Sequence, residues 1–419
     1  MRILLATDAF PPVCGGSGWS TYELGRGLRA LGHDVTIVQP RPHTPRGVRE
    51  KRVDEFRVIE FGAPAPPVPY LRNYFKNEKL HDDLAHFLSG LIAKERIDIV
   101  HGQHVMTSVP AVRAARQSAI PVVCTVRDYW PVCYWSDLIN SSEGLSLCPR
   151  CSAGMMTRCV RPHAPTLWPL ALPMIPYMRA NLARKQRGLT GADAIVAVSS
   201  TIAADLQARS ADIANARVEI IPNAVDTAAL RKSAAASTPP IEGPYALYLG
   251  KLAPNKGTGQ LVRVINEAAL DWPVVIAGDG PERNAIARAA AQSGRDIRLV
   301  GWVDQRDATR WMAHAALLLF PSRGPESLSR VLIEASVLGI PIAAMNTGGT
   351  PDIILDERTG LISQTFDELA DDIRRLRGDA ELRTRLSAAA RVHAESRFDV
   401  SVVIPRVERL YLDLLERRA

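Results

Sequence analysis

Two carboxylates, Glu326 and Glu334, stand eight positions apart in PESLSRVLIEAS (325–336), directly after the apolar run ALLLFPS. A buried strand that ends in such a turn and feeds a helix presents the backbone N–H groups of Ser327, Leu328 and Ser329 at the helix N-terminus, a natural anion site where a diphosphate would sit. Eight residues along a helix separate the carboxylates by about 12 Å. Pairs that cleave a glycosidic bond sit about 5 to 9.5 Å apart across one bond. These two are better suited to holding opposite ends of a long ligand, although alone they read rather as a first-turn charge and a solvated helix residue. The glycines of PPVCGGSG (Gly15, Gly16, Gly18) follow the first apolar run. They let backbone approach an acceptor or a phosphate closely, or simply make a turn.

A second constellation is Cys133, Cys148, Cys151 and Cys159, spaced C-x14-C-x2-C-x7-C. Four thiolates complete a tetrahedral zinc site, and a C-x2-C pair reaches one metal from a single turn. The outer spacing is not that of a standard finger, so a labile disulfide and free thiols stay open. Other chemistries find little support. Gly16-x-Gly18-x-x-Thr21 and Gly278-x-Gly280-x-x-Arg283 both lack the third glycine of the dinucleotide fingerprint, and no G-x-x-x-x-G-K-[ST] occurs. No Asp-x-Asp is present, so a catalytic Mg²⁺ or Mn²⁺ is not expected.

The elements that must position these residues follow a repeated alternation. RILLAT, a Pro/Gly loop, a helical TYELGRGLRALG and DVTIVQP read as strand, loop, helix, strand. The pattern continues through 56–61, 80–95, IDIVHG, a short helix near 109–118, PVVCTV and 194–199. KSAAASTPPIEGP then interrupts it as a linker. The alternation restarts with YALYLG and runs through helices near 259–267, 282–293, 305–313 and from Arg330. Short Val/Ile-rich runs separated by helices are what a parallel sheet covered on both faces requires. The sequence therefore predicts two α/β units and a last helix, 398–415, with apolar residues at helical spacing.

With 419 residues, 47% hydrophobic and 23% charged, the chain is an ordinary globular protein of two to three domains, not a disordered or coiled-coil one. Ile3–Ala6 is too short for a signal-peptide core, and LWPLALPMIPYM (167–178) is about a dozen residues where a spanning helix needs about 20. Cytoplasmic location is therefore expected. Residues 1–190 carry a net +9 and residues 191–419 a net −2, so the basic half is expected to meet something anionic. The apolar, Trp/Tyr-bearing stretch 166–178 is followed by Arg179, Arg184, Lys185 and Arg187, which suggests peripheral docking on the inner face of an anionic membrane, or burial against the first sheet. The dispersed basic residues and lack of a reading motif argue against nucleic acid. The sequence does not give the oligomeric state.

Taken together, E-x7-E with Ala335, Gly339, Pro341 and Ala343 after it, and GGSG, GHDVTIV, RDYW, IPNAVD, GKLAPNKG, AGDGPE and TGGTPD in this order, resemble the retaining glycosyltransferases of family 4 (glycosyl transferases group 1), in the subset with a Cys-rich insertion. The resemblance covers nearly the whole chain. It implies the GT-B fold, an α/β architecture of two doubly wound Rossmann-like domains facing a central cleft. An acceptor-binding domain would span 1–225 with the insertion at about 133–180, a linker 226–244, a donor-binding domain 245–395, and a crossover helix 396–419 packing back on the first domain. Lys256 and Lys251 would grip the diphosphate of a UDP-, GDP- or ADP-sugar. Glu334 would accept from ribose hydroxyls and Glu326 from the sugar, with Gly250, Gly278 and Gly280 lining the donor. Two ammonium groups beside a helix N-terminus suit a leaving diphosphate, because charge-assisted contacts are roughly twice as strong as neutral ones. Arg127 stands where the family often has His. It cannot act as a base, but can hold a phosphate or carboxylate in two-pronged fashion. The expected activity is transfer of a sugar to a hydroxyl of a glycan or lipid-linked acceptor, of cell-envelope or polysaccharide type. A related epimerase and a silent nucleotide-sugar-binding module are the alternatives.

Overall fold

The computed structural model describes residues 1–66, 74–139, 147–163 and 168–418. The chain divides into two compact units. The first comprises 1–137, 148–224 and 400–419, and the second 138–147 and 225–399.

The first unit is built on an eight-stranded sheet ordered β3-β4-β2-β1-β5-β6-β7-β8. Its strands are β1 (Arg2–Ala6), β2 (Asp34–Pro42), β3 (Gly47–Val53), β4 (Phe56–Ala63), β5 (Ile99–Gly102), β6 (Val122–Val126), β7 (Ala194–Ala197) and β8 (Val218–Ile220). All neighbours pair in parallel except β3 with β4. The central strands are continuous apolar runs because helices cover both faces, so alternation is not needed. β3, GVREKRV, is the exception: a charged antiparallel edge strand, which resists pairing with another chain. Its charges hide it from a hydrophobic-run reading. The order reverses between β1 and β5. Gln103 N donates to the Ala6 carbonyl at 2.8 Å there, so the two strand ends open side by side.

The C-terminal helix Val400–Glu416 belongs to this first unit. Val403, Ile404, Val407, Leu410, Tyr411 and Leu414 are buried in one cluster with Ile3, Leu5, Leu24, Leu28 and Phe56. Buried methylenes at that spacing, each worth about 0.8 kcal/mol, fix the helix to the sheet. A Cβ on Gly27 would lie 2.4 Å from Ile404 Cγ1, so the missing side chain lets the two helices approach. Tyr411 Oη and His101 Nδ1, both buried, hydrogen-bond at 2.5 Å.

The second unit has a six-stranded sheet ordered β11-β10-β9-β12-β13-β14, all pairs parallel. The strands are β9 (Ala246–Leu249), β10 (Val274–Ala277), β11 (Ile297–Gly301), β12 (Leu317–Phe320), β13 (Ile342–Met345) and β14 (Leu361–Ser363). The chain winds outward from β9 to β11, then returns to β12 and winds the other way. The switch point is therefore between β9 and β12.

Two organisational expectations need correction. The stretch read as a linker, 226–244, carries the helix Thr227–Ala235, capped by Asp226, whose carboxylate accepts from Ala229 N at 2.8 Å. Its Ala-rich sequence favours helix, and it packs within the second unit. Thr166 and Leu167, part of the expected membrane edge, lie outside the described residues. Of the rest, Met178 is buried and Met174, Ile175 and Tyr177 pack against the Met156, Val160, Leu182 cluster. Lys185, expected on a basic flank, is 5% exposed, and Leu170 stays broadly exposed. No described helix is long and apolar enough to cross a membrane.

Candidate functional site

At the switch point of the second sheet, the turn after β9 and the turn after β12 are tied together through one carbonyl. Asn255 O accepts from Gly324 N at 2.7 Å, Arg323 N at 3.0 Å and Ser322 Oγ at 3.2 Å. The first turn needs backbone that only glycine adopts without strain. Gly257 has φ 66°, and a Cβ there would lie 1.8 Å from the Pro321 carbonyl. Gly278 has φ 149° and would press on the Gly250 carbonyl at the same distance. Gly280, in the same loop, lies against Leu252 O. The expected glycines thus bring the loops after β9 and β10 into backbone contact. Gly250 N and Gly278 N are themselves spent on Ala277 O and Gly301 O.

These loops bring Lys256 and Glu326 together: Nζ lies 2.5 Å from Oε1. Ser322 Oγ donates to the same oxygen at 2.6 Å, and Oε2 has no partner among the described residues. The Glu326 side chain is 11% exposed and that of Lys256 31%, so the pair faces solvent from the ammonium side. Lys251, two residues after β9, is exposed, and its ammonium has no carboxylate partner among the described residues. Tyr248 Oη donates to Lys251 O at 2.8 Å and fixes that backbone. Burial, then the Glu326 and Glu282 charges, raise the Tyr248 hydroxyl far above its ordinary range, so it stays a donor.

Glu334 lies in the helix Arg330–Leu338 and is 5% exposed. Arg330 Nε donates to its Oε1 at 2.7 Å and Gln305 Nε2 to the same atom at 3.3 Å. Oε2 is left without a partner among the described residues. In both expected carboxylates it is Oε1 that the protein bonds. The helix starts later than the sequence suggests. Ser329 is its N-cap, in extended conformation, with Oγ accepting from Leu332 N at 3.5 Å. Ser327 and Leu328 precede the helix, so the amides at its mouth begin at Arg330 rather than at these two.

In the first unit, the expected glycine loop is mostly helix. Gly15 is the N-cap of Gly16–Ala30, and Gly16 and Gly18 lie in its first turn. A Cβ on Gly18 would meet Cys14 Sγ at 2.5 Å, so this glycine serves packing. Beside it, at the β1/β5 switch, Asp8 Oδ2 accepts from Met106 N at 3.2 Å, and His104 Nδ1 lies 3.2 Å from Thr7 Oγ1. His104 Nε2 and both side-chain polar atoms of Gln103 are buried without partners among the described residues. Arg127, half-buried, donates Nε to Asn223 Oδ1 and Nη1 to Gln103 O, both at 3.0 Å. Two of its five N–H donors are committed to protein, which fixes the guanidinium and leaves one N–H on Nη1 and two on Nη2. Burial pushes the guanidinium down to about 9, still cationic at neutral pH. Asn223 and Gln305 escaped the sequence reading because their partners, Arg127 and Glu334, are distant in sequence, whereas Ser322 and Arg330 each lie four residues before the carboxylate they bind, a local spacing that could have pointed to them.

Among the described residues none of the four cysteines is joined in a disulfide. Cys133, Cys148 and Cys159 are buried and Cys151 half-buried. Burial, then the neighbouring thiols, push Cys159 up to about 12, and Cys151 rises to about 11. Cys148 Sγ donates to Arg150 O at 3.2 Å and Cys133 Sγ to Asp137 Oδ1 at 3.9 Å. Among the described residues no three of His, Cys, Asp or Glu are arranged to hold a metal ion. Cys133, Cys148 and Cys151 all act on the Cys159 thiol, so the four sulfurs of the expected site are neighbours.

Residues 14–229 match the family model described as Glycosyltransferase Family 4, and residues 243–379 match Glycosyl transferases group 1. The glycogen synthase of Mycobacterium tuberculosis is 25% identical over 435 aligned residues, covering 98% of this chain and 94% of that protein. A 2-deoxystreptamine N-acetyl-D-glucosaminyltransferase of Niallia circulans is 30% identical over 172 residues, which is 39% of this chain and 44% of that protein. Among solved structures, the sucrose-phosphate synthase of Thermosynechococcus elongatus superposes with a TM-score of 0.71 at 20% identity, with 100% of both chains covered. Anabaena HepE in complex with UDP gives 0.65 at 16% identity, covering 99% of this chain and 100% of that one.

Proposed function

Because the chain belongs to glycosyltransferase family 4, we propose that it moves a sugar from a nucleoside-diphosphate sugar to a hydroxyl of a glycan or lipid-linked acceptor with retention of anomeric configuration. The observation that carries this reading is the Lys256–Glu326 pair at the β9/β12 switch. There an exposed ammonium, Lys251, stands in the same turn, and a buried carboxylate, Glu334, lies on the helix that follows. Open α/β sheets bind ligands outside the carboxyl ends of their strands at such a point. The unpartnered Oε2 of Glu334 suits a ribose hydroxyl, and that of Glu326 a hydroxyl of the transferred sugar.

In the proposed reaction the bond from the anomeric carbon to the β-phosphate oxygen breaks, and its electron pair leaves with the nucleoside diphosphate. The acceptor oxygen bonds the anomeric carbon from the same face, and its proton passes to the departing phosphate oxygen. Lys256, Lys251 and the first amides of the Arg330–Leu338 helix stabilise the charge that develops on that oxygen. No side chain need act as nucleophile. The first unit supplies the acceptor side.

Purified protein is incubated with nucleotide sugars singly and with glycan or lipid-linked acceptor fractions, and both products are analysed. Glycosylated acceptor and free nucleoside diphosphate, both lost in Glu326→Gln, are the expected result. Release of nucleotide from donor alone, with epimerised sugar, would replace this reading with an epimerase. Binding without turnover would leave only a binding module.

A further inference from the structure

The first unit contains a cavity of about 420 Å³ walled by the start of the Leu80–Glu95 helix, the Val105–Gln117 helix and the Met174–Leu189 helix. Three side chains lining it are more than nine-tenths buried yet incompletely satisfied. Among the described residues, His81, 4% exposed, has no partner for Nε2, and Asn181, 2% exposed, has none for Oδ1. Lys185 is 5% exposed; its ammonium stands 5.7 Å over the Tyr134 ring, and no carboxylate lies within ion-pair distance of it among the described residues. A buried ammonium without a close counter-charge costs several kcal/mol unless something anionic completes it. The other cations in the wall are partly neutralised. Arg184 Nη2 lies 2.7 Å from Glu78 Oε1, and Arg113 pairs with Asp82. Lys79 stands 5.0 Å over the Phe75 ring. Four cations against two carboxylates leave the lining at a formal +2, with His81 neutral.

We propose that this cavity binds a phosphate monoester carried by the acceptor, with the dianion on Lys185 and the sugar or polyol carbons against the Phe75 ring. The inference rests on reading the first unit as the acceptor side, and it narrows the glycan acceptor to one that carries a phosphate monoester on a sugar or polyol. The charge of a phosphate monoester near neutral pH, about −1.5 to −2, matches the lining. His81 Nε2, as the protonated ring nitrogen, can donate to the phosphate, the Asn181 Oδ1 acceptor suits a hydroxyl of the sugar or polyol, and Arg113 and Arg184 stand at the rim to draw the anion in. Asp128 is the largest opposing influence on Lys185, but burial outweighs it and lowers the ammonium to about 8, so the group is charged yet under-compensated at neutral pH.

The test is thermal-shift titration of the full chain with inorganic phosphate, glycerol 3-phosphate and, as control, glycerol. The expected result is a saturable rise in melting temperature with the two phosphates and none with glycerol. Half-saturation should move at least about tenfold higher in Lys185→Met, the loss of one charge-assisted contact. It should be retained in Lys256→Met, which separates this cavity from the donor-phosphate site and keeps the outcome independent of whether the chain transfers sugar. No saturable rise at millimolar phosphate, or an identical titration in Lys185→Met, would overturn the proposal. Should Lys185→Met fail to fold, Arg113→Gln, altered at a side chain 45% exposed, must weaken phosphate binding, and an unchanged titration overturns it equally. Flotation with phosphatidate vesicles distinguishes the source. Lys185-dependent flotation, displaced by glycerol 3-phosphate, assigns the phosphate to a lipid headgroup and overturns the polyol assignment, whereas no flotation alongside the thermal shift supports it.

Discussion

Lys256→Ala separates catalysis from stability. The ammonium lies 2.5 Å from Glu326 Oε1, but its own side chain is 31% exposed, so the ion pair is one that water screens. Such pairs contribute about 0 to 1 kcal/mol, and Ser322 Oγ still holds the abandoned carboxylate at 2.6 Å. The expected change in melting temperature is therefore small, about 2–4 °C at most for a unit of this size. Turnover should behave differently. A preorganised cation placed where negative charge develops is worth about 2.7–4 kcal/mol of barrier, a drop of about 10²–10³-fold in kcat. The assay is nucleoside diphosphate release at saturating donor and acceptor, with circular dichroism and melting on the same preparation. Near-normal kcat would refute the reasoning. So would a collapse of the fold, which would make Lys256 a structural residue.

Further changes test separate parts of the site. Gly257→Ala places a Cβ 1.8 Å from the Pro321 carbonyl; donor affinity measured by calorimetry should fall at least about tenfold while the first unit keeps its melting transition. Glu334→Ala strips Arg330 of its buried partner, so a loss of about 3–5 kcal/mol of stability in denaturant titration is expected, with a raised KM for donor in whatever folds. Tyr411→Phe removes the 2.5 Å bond to buried His101 and should cost about 1–3 kcal/mol; an unchanged denaturation midpoint would show that the C-terminal helix is held by apolar contact alone. Burial lowers His81 to about 3 and holds His101 and His104 well below their ordinary range. The unfolded chain therefore takes up protons below about pH 6.5 that the fold refuses, and stability present above that pH is lost as pH falls, by about 1.4 kcal/mol per histidine per unit. Denaturation midpoints flat from pH 7 to 4 would contradict this.

Much of this was legible in the sequence, for identifiable reasons. Continuous apolar runs such as VVIA and LLLF announce strands buried on both faces, and the helix over 305–313 is placed as read because Asp304 caps it, accepting from Asp307 N at 2.9 Å. The Glu326/Glu334 spacing pointed to a ligand site, and the two glycine loops that seat Lys256 were visible as GKLAPNKG and AGDGPE. Other features lay beyond reach. GVREKRV looks like a solvated loop, because a charged edge strand buries almost nothing. Ser329 could not be separated from Ser327 as the cap, since both offer a hydroxyl and only tertiary packing, with Leu328 buried, selects the later one. The cavity around Lys185 was invisible because that lysine sits in a basic run, RANLARKQR, that reads as solvated. Burial there is decided by helices far away in the sequence.

The central claim is that the pyrophosphate of the donor lies at the β9/β12 switch. A crystal structure with bound nucleoside diphosphate measures this directly. The account predicts phosphate oxygens within hydrogen-bond reach of Lys256 Nζ and of the first amides of the Arg330–Leu338 helix, with the ribose on Glu334. A diphosphate bound elsewhere, with Lys256 still closed on Glu326, would contradict it.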